Sequence, residues 1–125
     1  MVTTIAARLL SKIDLNISSL NFNFIGIDTI LEGKITLAGV VRLAGKITGE
    51  VHLLPDSVLI IEQSGEIKGK LFCFDVEIYG KFEGDLQSHN KLTVYPTAHV
   101  LGKIQSQNMV IFPGASVEME GHTTL

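Results

Sequence analysis

The sequence of 125 residues predicts an all-β chain folded as a single-stranded parallel β-helix, a β-solenoid with a short N-terminal tail or helix. Three observations carry this prediction: a recurring tandem of glycines and apolar residues, charges that alternate at equivalent places in it, and a Pro-containing corner that recurs with the same period. Gly45-Lys46-Ile47-Thr48-Gly49-Glu50-Val51 is followed by Gly65-Glu66-Ile67-Lys68-Gly69-Lys70-Leu71 and Gly80-Lys81-Phe82-Glu83-Gly84-Asp85-Leu86, then in degraded form by Ala98-His99-Val100-Leu101-Gly102-Lys103-Ile104. The second glycines, with outlying partners at Gly33 and Gly121, recur about every 17 to 18 residues, the length of one solenoid coil. Alternation sends the apolar residues to one face and their charged neighbours to the other, while glycine bends the chain between short strands.

Charge order checks the register independently. Equivalent residues on stacked coils lie about 4.8 Å apart. The residue after the second glycine runs Glu50, Lys70, Asp85, Lys103, and the residue after the first small position runs Lys46, Glu66, Lys81, His99. Exposed pairs of this kind contribute only about 0.2 to 1 kcal/mol each, so they select register more than they stabilise. Tyr95-Pro96-Thr97-Ala98 and Phe112-Pro113-Gly114-Ala115 repeat one period apart and place proline at equivalent bends, and Pro55 punctuates an earlier coil. Unequal gaps between the glycines predict irregular corners. The continuous core is expected to hold Ile47, Val51, Ile67, Leu71, Phe82, Leu86, Val100 and Ile104.

Ahead of the repeat, residues 2 to 14 contain no Gly or Pro and space Ile5, Leu9 and Ile13 four apart beside Arg8 and Lys12, which predicts a short amphipathic helix. Leu20, Phe22 and Phe24 alternate with Asn21 and Asn23 as a lead-in strand. The expected organisation is an N-terminal segment over 1–24, a β-helix core over 25–122 and a remnant over 123–125.

Composition excludes several functions. A net charge of −3 argues against a polyanion binder, so no nucleic acid is expected as a partner. The lone Cys73, between Phe72 and Phe74, reads as a buried structural residue. Despite 46% hydrophobic residues, no apolar run approaches the roughly 18 residues of a membrane span, and no secretory signal is evident. A cytoplasmic location follows as the expectation. Leu31-Glu32-Gly33, Leu37-Ala38-Gly39 and Leu43-Ala44-Gly45 imitate the hexapeptide repeat of β-helical acyltransferases, but that phase ends after Gly49. His52, His89, His99 and His122 form no close pair in sequence for general-base catalysis or a three-histidine zinc site of the carbonic anhydrase kind. The span from Gly39 to Gly45-Lys46-Ile47 lacks both the spacing and the Ser or Thr of a phosphate loop. Aromatic content of 6% without Trp offers a polysaccharide few stacking platforms, and the alternative function is a polysaccharide-binding β-helix or a hexapeptide-repeat enzyme of the acyltransferase or carbonic anhydrase kind. No catalytic residue, metal ligand or cofactor is expected.

The ordered set of Ile25-Gly26, Ile30-Leu31-Glu32-Gly33, the tandems at 45–51, 65–71 and 80–86, and Phe112-Pro113-Gly114-Ala115 resembles the bactofilins, bacterial cytoskeletal proteins with a small parallel β-helix core. The likeness covers about four fifths of the chain. It implies a right-handed, three-sided coil, nucleotide-independent assembly into filaments by end-to-end association, and N-terminal membrane targeting. The flexible, proline-rich tails common in that family are not seen here. On this reading the chain is a non-enzymatic scaffold that associates with itself on the inner face of the cytoplasmic membrane, supporting cell shape or holding cell-wall enzymes or polar proteins. The ends of a β-helix expose unpaired backbone and apolar core, so Phe24, Ile25, Val110, Phe112, Val117 and Met119 are the candidate subunit contacts. Val2, Ile5, Arg8, Leu9, Lys12 and Ile13 are the candidate membrane contacts, and a helix capping the first coil is the other reading of the same segment.

Overall fold

In a computed structural model, residues 2–5, 8–17 and 22–122 are described, with side chains over 22–118. Among the described residues eleven strands follow one another: β1 (Val2–Ile5), β2 (Arg8–Ile17), β3 (Phe22–Ile25), β4 (Ile30–Leu37), β5 (Val40–Leu43), β6 (Lys46–Leu53), β7 (Val58–Ile61), β8 (Glu66–Ile78), β9 (Lys81–Val94), β10 (His99–Ile111) and β11 (Ser116–His122). Every pairing is parallel and joins residues one coil apart, giving a β-solenoid of about six turns.

Each full coil has three straight pieces. The first is short: β1, β3, β5 and β7, succeeded in register by the ends of β8, β9 and β10. The other two are the arms of a long strand bent at a glycine. Gly33, Gly49, Gly69, Gly84 and Gly102 stack at this bend, all with φ between 125° and 135°. A Cβ at Gly69 would run into the carbonyl oxygen of Gly49, and one at Gly84 into that of Gly69. Both the dihedral and the close approach of the backbones therefore demand glycine. The column ends with Met119 opposite Gly102, whereas Gly121 pairs with Ile104. The expected place of Gly121 in the column is thus corrected: the last bend carries a side chain.

Alternation along each piece fills the interior. All eight residues expected in the core are at most 3% exposed, and the inner positions of the short pieces, Val41, Leu43, Leu59, Ile61, Val76, Ile78, Leu92 and Val94, complete it. The two Pro corners are equivalent, each closed by a turn: the Ala98 amide donates to the Tyr95 carbonyl at 2.9 Å and the Ala115 amide to that of Phe112 at 3.4 Å. Irregularity is concentrated at the corner before the short piece. Early coils use a turn there, with Asp56 at φ 65°, while β8, β9 and β10 pass through it unbroken, β9 taking one residue more between Ser88 and Lys91 than its neighbours take between Cys73 and Asp75 and between Ser106 and Asn108.

The helix expected over residues 2–14 is not formed. β1 and β2 occupy that stretch and add a coil, with Ile5 opposite Ile25 and Leu15 opposite Ile35. The physical reason lies in the same residues: Val2, Thr3, Thr4 and Ile5 are β-branched, and Lys12-Ile13-Asp14-Leu15-Asn16-Ile17 alternates polar and apolar at every position. A parallel edge already offered by β3 and β4 decides between the two periods.

Candidate functional site

Among the described residues the core cross-section is open at the C-terminal end. Met109, Ile111 and Val117 take inner positions of the last coil, equivalent to Leu92, Val94 and Val100 in the coil before. Val94 is 1% exposed and Ile111 is 42% exposed, although both occupy the same place in the repeat. Among the described residues nothing covers this layer. Phe112 lies at the adjoining corner, outside the core, as the last ring of a ladder: Tyr79 stacks on Tyr95 at 4.1 Å and Tyr95 on Phe112 at 5.3 Å. Both tyrosine hydroxyls donate to Glu77 Oε1, at 3.4 and 3.3 Å. The Tyr95 hydroxyl beside it pushes the Tyr79 phenol up to about 12. No such partner sits on the free face of Phe112 among the described residues.

The six expected subunit contacts therefore divide. Val110, Phe112, Val117 and Met119 belong to the last coil, the side chain of Met119 lying outside the described residues. Phe24 is half-buried on the outer side of β3, and Ile25 is wholly buried beneath the coil that β1 adds. Ile111 and Met109 were missed by end-residue reasoning, yet Val94 one period earlier marks Ile111 as an inner position. The expected membrane contacts fall on β1 (Val2, Ile5) and β2 (Arg8, Leu9, Lys12, Ile13); their side chains lie outside the described residues, and the helical face that grouped them does not exist.

Both charge columns read from the sequence occur in register. The one after the glycine bend extends further than expected, as Asp14, Lys34, Glu50, Lys70, Asp85, Lys103 and Glu120, changing sign at every coil. Among the described residues none of these cross-coil neighbours closes into a direct ion pair. The pairs that do form are Arg42 with Glu62 at 2.8 Å, Lys68 with Glu66 at 3.4 Å along one strand, and His52 Nε2 with Glu50 Oε2 at 3.5 Å, too long for a good hydrogen bond.

Among the described residues, chemistry-bearing side chains do not converge. His52 stacks on Phe72 at 4.7 Å, His89 leans on Phe74 at 5.3 Å, and His99 lies on the other arm of the long strands. Among the described residues no group of three His, Cys, Asp or Glu could hold a metal ion. Burial pushes the Cys73 thiol up to about 12, which leaves almost no thiolate near neutrality, and its Sγ donates weakly to the Gln87 carbonyl at 3.5 Å. A depression of about 360 Å³ lies on the outer surface between Lys68, Lys81, Glu83, His99 and Leu101; it is open and interleaves both charge signs.

The family model described as "Bactofilin: Polymer-forming cytoskeletal" matches residues 23–122. The chain belongs to the bactofilin family. It is 26% identical over 92 residues to bactofilin BacO of Myxococcus xanthus (strain DK1622), covering 74% of this chain and 71% of that protein. No solved structure was found to match. The bactofilin match begins within β3, so the coil made by β1 and β2 lies ahead of the shared region. No helix among the described residues is long and apolar enough to cross a membrane.

Proposed function

We propose that this bactofilin is a non-enzymatic cytoskeletal subunit that polymerises without nucleotide by stacking its coils end to end. The observation that carries the reading is the uncovered last layer: Ile111 at 42% exposure where its equivalent Val94 has 1%. An unpaired parallel edge and an apolar cross-section are both satisfied by another copy of the same solenoid. No nucleotide is needed, because the contact requires only a matching edge. The filament would lie on the cytoplasmic face of the inner membrane, held by the N-terminal coil through the cations Arg8 and Lys12. Single contacts of this size bind lipid weakly, and repetition along a polymer multiplies them. Such a lattice supports cell shape or positions cell-wall or polar proteins.

Phe112→Arg tests the end contact, because Phe112 is beside the open layer yet outside the core cluster. The variant is expected to keep the β-sheet circular dichroism of the parent and remain in the supernatant after high-speed centrifugation without nucleotide. Pelleting equal to the parent would remove the C-terminal end from the interface.

A further inference from the structure

We propose that one flat side of the solenoid is a second self-association surface, on which two copies pair antiparallel through the alternating column that follows the glycine bend. The pairing does not rest on the end contacts proposed above. Its surface is the last arm of each long strand, which presents two outward columns. One holds Lys34, Glu50, Lys70, Asp85 and Lys103, with Asp14 and Glu120 in register beyond them; the other holds Thr36, His52, Phe72, Gln87 and Gln105 and contains no Lys, Arg, Asp or Glu. Lys34, Lys70, Asp85 and Lys103 are exposed and Glu50 is half-buried. Among the described residues none of them closes a direct ion pair with its cross-coil neighbour; Glu50 lies 3.5 Å from His52 Nε2 on its own strand, and the column's charges are available to a facing surface.

Symmetry makes this side self-complementary in one arrangement. A two-fold axis along the strand direction lays each column on its own copy and runs the two solenoids antiparallel. With the axis between adjacent coils, every charge meets one an odd number of coils away, which is always the opposite sign. Shifting the axis onto a coil makes every contact like-charged. A parallel two-fold pair sets the charged column against the uncharged one or, with its axis over the charged column, each charge against its own copy, and forms no opposite-charge pair. The alternation that selects coil register inside the chain thus also selects partner, polarity and offset between chains. The checkerboard of Glu66, Lys68, Lys81 and Glu83 on the preceding arm has similar complementarity, but it is lost at His99 and Leu101.

Zero-length carbodiimide coupling of a mixture of light and isotopically heavy full-length protein reads the pairing directly. With the axis between Lys70 and Asp85, Glu50 faces Lys103; with the axis between Glu50 and Lys70, Lys34 faces Asp85. Each of these pairs is three coils apart within a chain, about 14 Å, out of reach of an intramolecular zero-length link. A light–heavy crosslink at either pair is expected at about 0.02 M salt, lost at about 0.5 M, where charges are screened over a few ångström, and lost in Lys70→Glu. Circular dichroism of that exposed-site variant confirms that its fold is unchanged. Crosslinks only between adjacent coils of one copy, or light–heavy links indifferent to salt and to Lys70→Glu, would overturn the pairing. The readout needs no filaments, so it stands apart from the end-to-end reading.

Discussion

At the scale of single residues, the glycine bend imposes the strictest demand in this chain. Gly84 combines φ 133° with a carbonyl oxygen of Gly69 where a Cβ would go, while Gly114 has φ 103° but only Pro96 Cβ nearby, at 3.3 Å. Positive φ in a residue with a side chain costs about 1 to 3 kcal/mol, and displacing a paired backbone adds to it. Gly84→Ala is therefore expected to destabilise the fold by about 3 kcal/mol or more and Gly114→Ala by about 1 to 2 kcal/mol, read by chemical unfolding. Equal effects would mean that the dihedral alone matters. These glycines were legible because they recur in sequence; their cause, one backbone pressed on the next, became visible only once the register of Gly49, Gly69, Gly84 and Gly102 was in place.

At the scale of elements, residues 2–17 show where sequence reading failed and why. Ile5, Leu9 and Ile13 fit a helical spacing, and Lys12 to Ile17 fit a strand; short apolar patterns satisfy both periods, and only the neighbouring edge of β3 and β4 separates them. The repeat itself, the Pro corners and both charge columns were readable, since each is a periodic residue type. The corners through which β8 and β10 pass carry neither Gly nor Pro, so their register shifts left no signal. Strands in place of a helix also change the test of lipid contact. Deleting the segment would remove a coil, whereas Arg8→Glu with Lys12→Glu keeps its length and reverses two charges. That double variant is expected to lose co-sedimentation with anionic liposomes while still pelleting alone, each cation near such a surface being worth about 1 kcal/mol. Undiminished lipid binding would assign the N-terminal coil to the body of the solenoid alone.

For the whole molecule, the proposed assembly turns the ordinary hazard of an open parallel edge into the contact between copies. Among the described residues, twenty-three form one continuous buried core, against which Met109, Ala115 and Val117 pack partly buried while Ile111 beside them is exposed. Each coil advances about 4.8 Å, so a solenoid of about six turns lengthens a filament by roughly 30 Å per copy. Electron microscopy of the purified full-length protein without nucleotide examines this most directly. Unbranched filaments with an axial repeat of roughly 30 Å, or twice that if successive copies alternate in direction, are the predicted result. Discrete trimers or monomers at the same concentration would contradict end-to-end stacking.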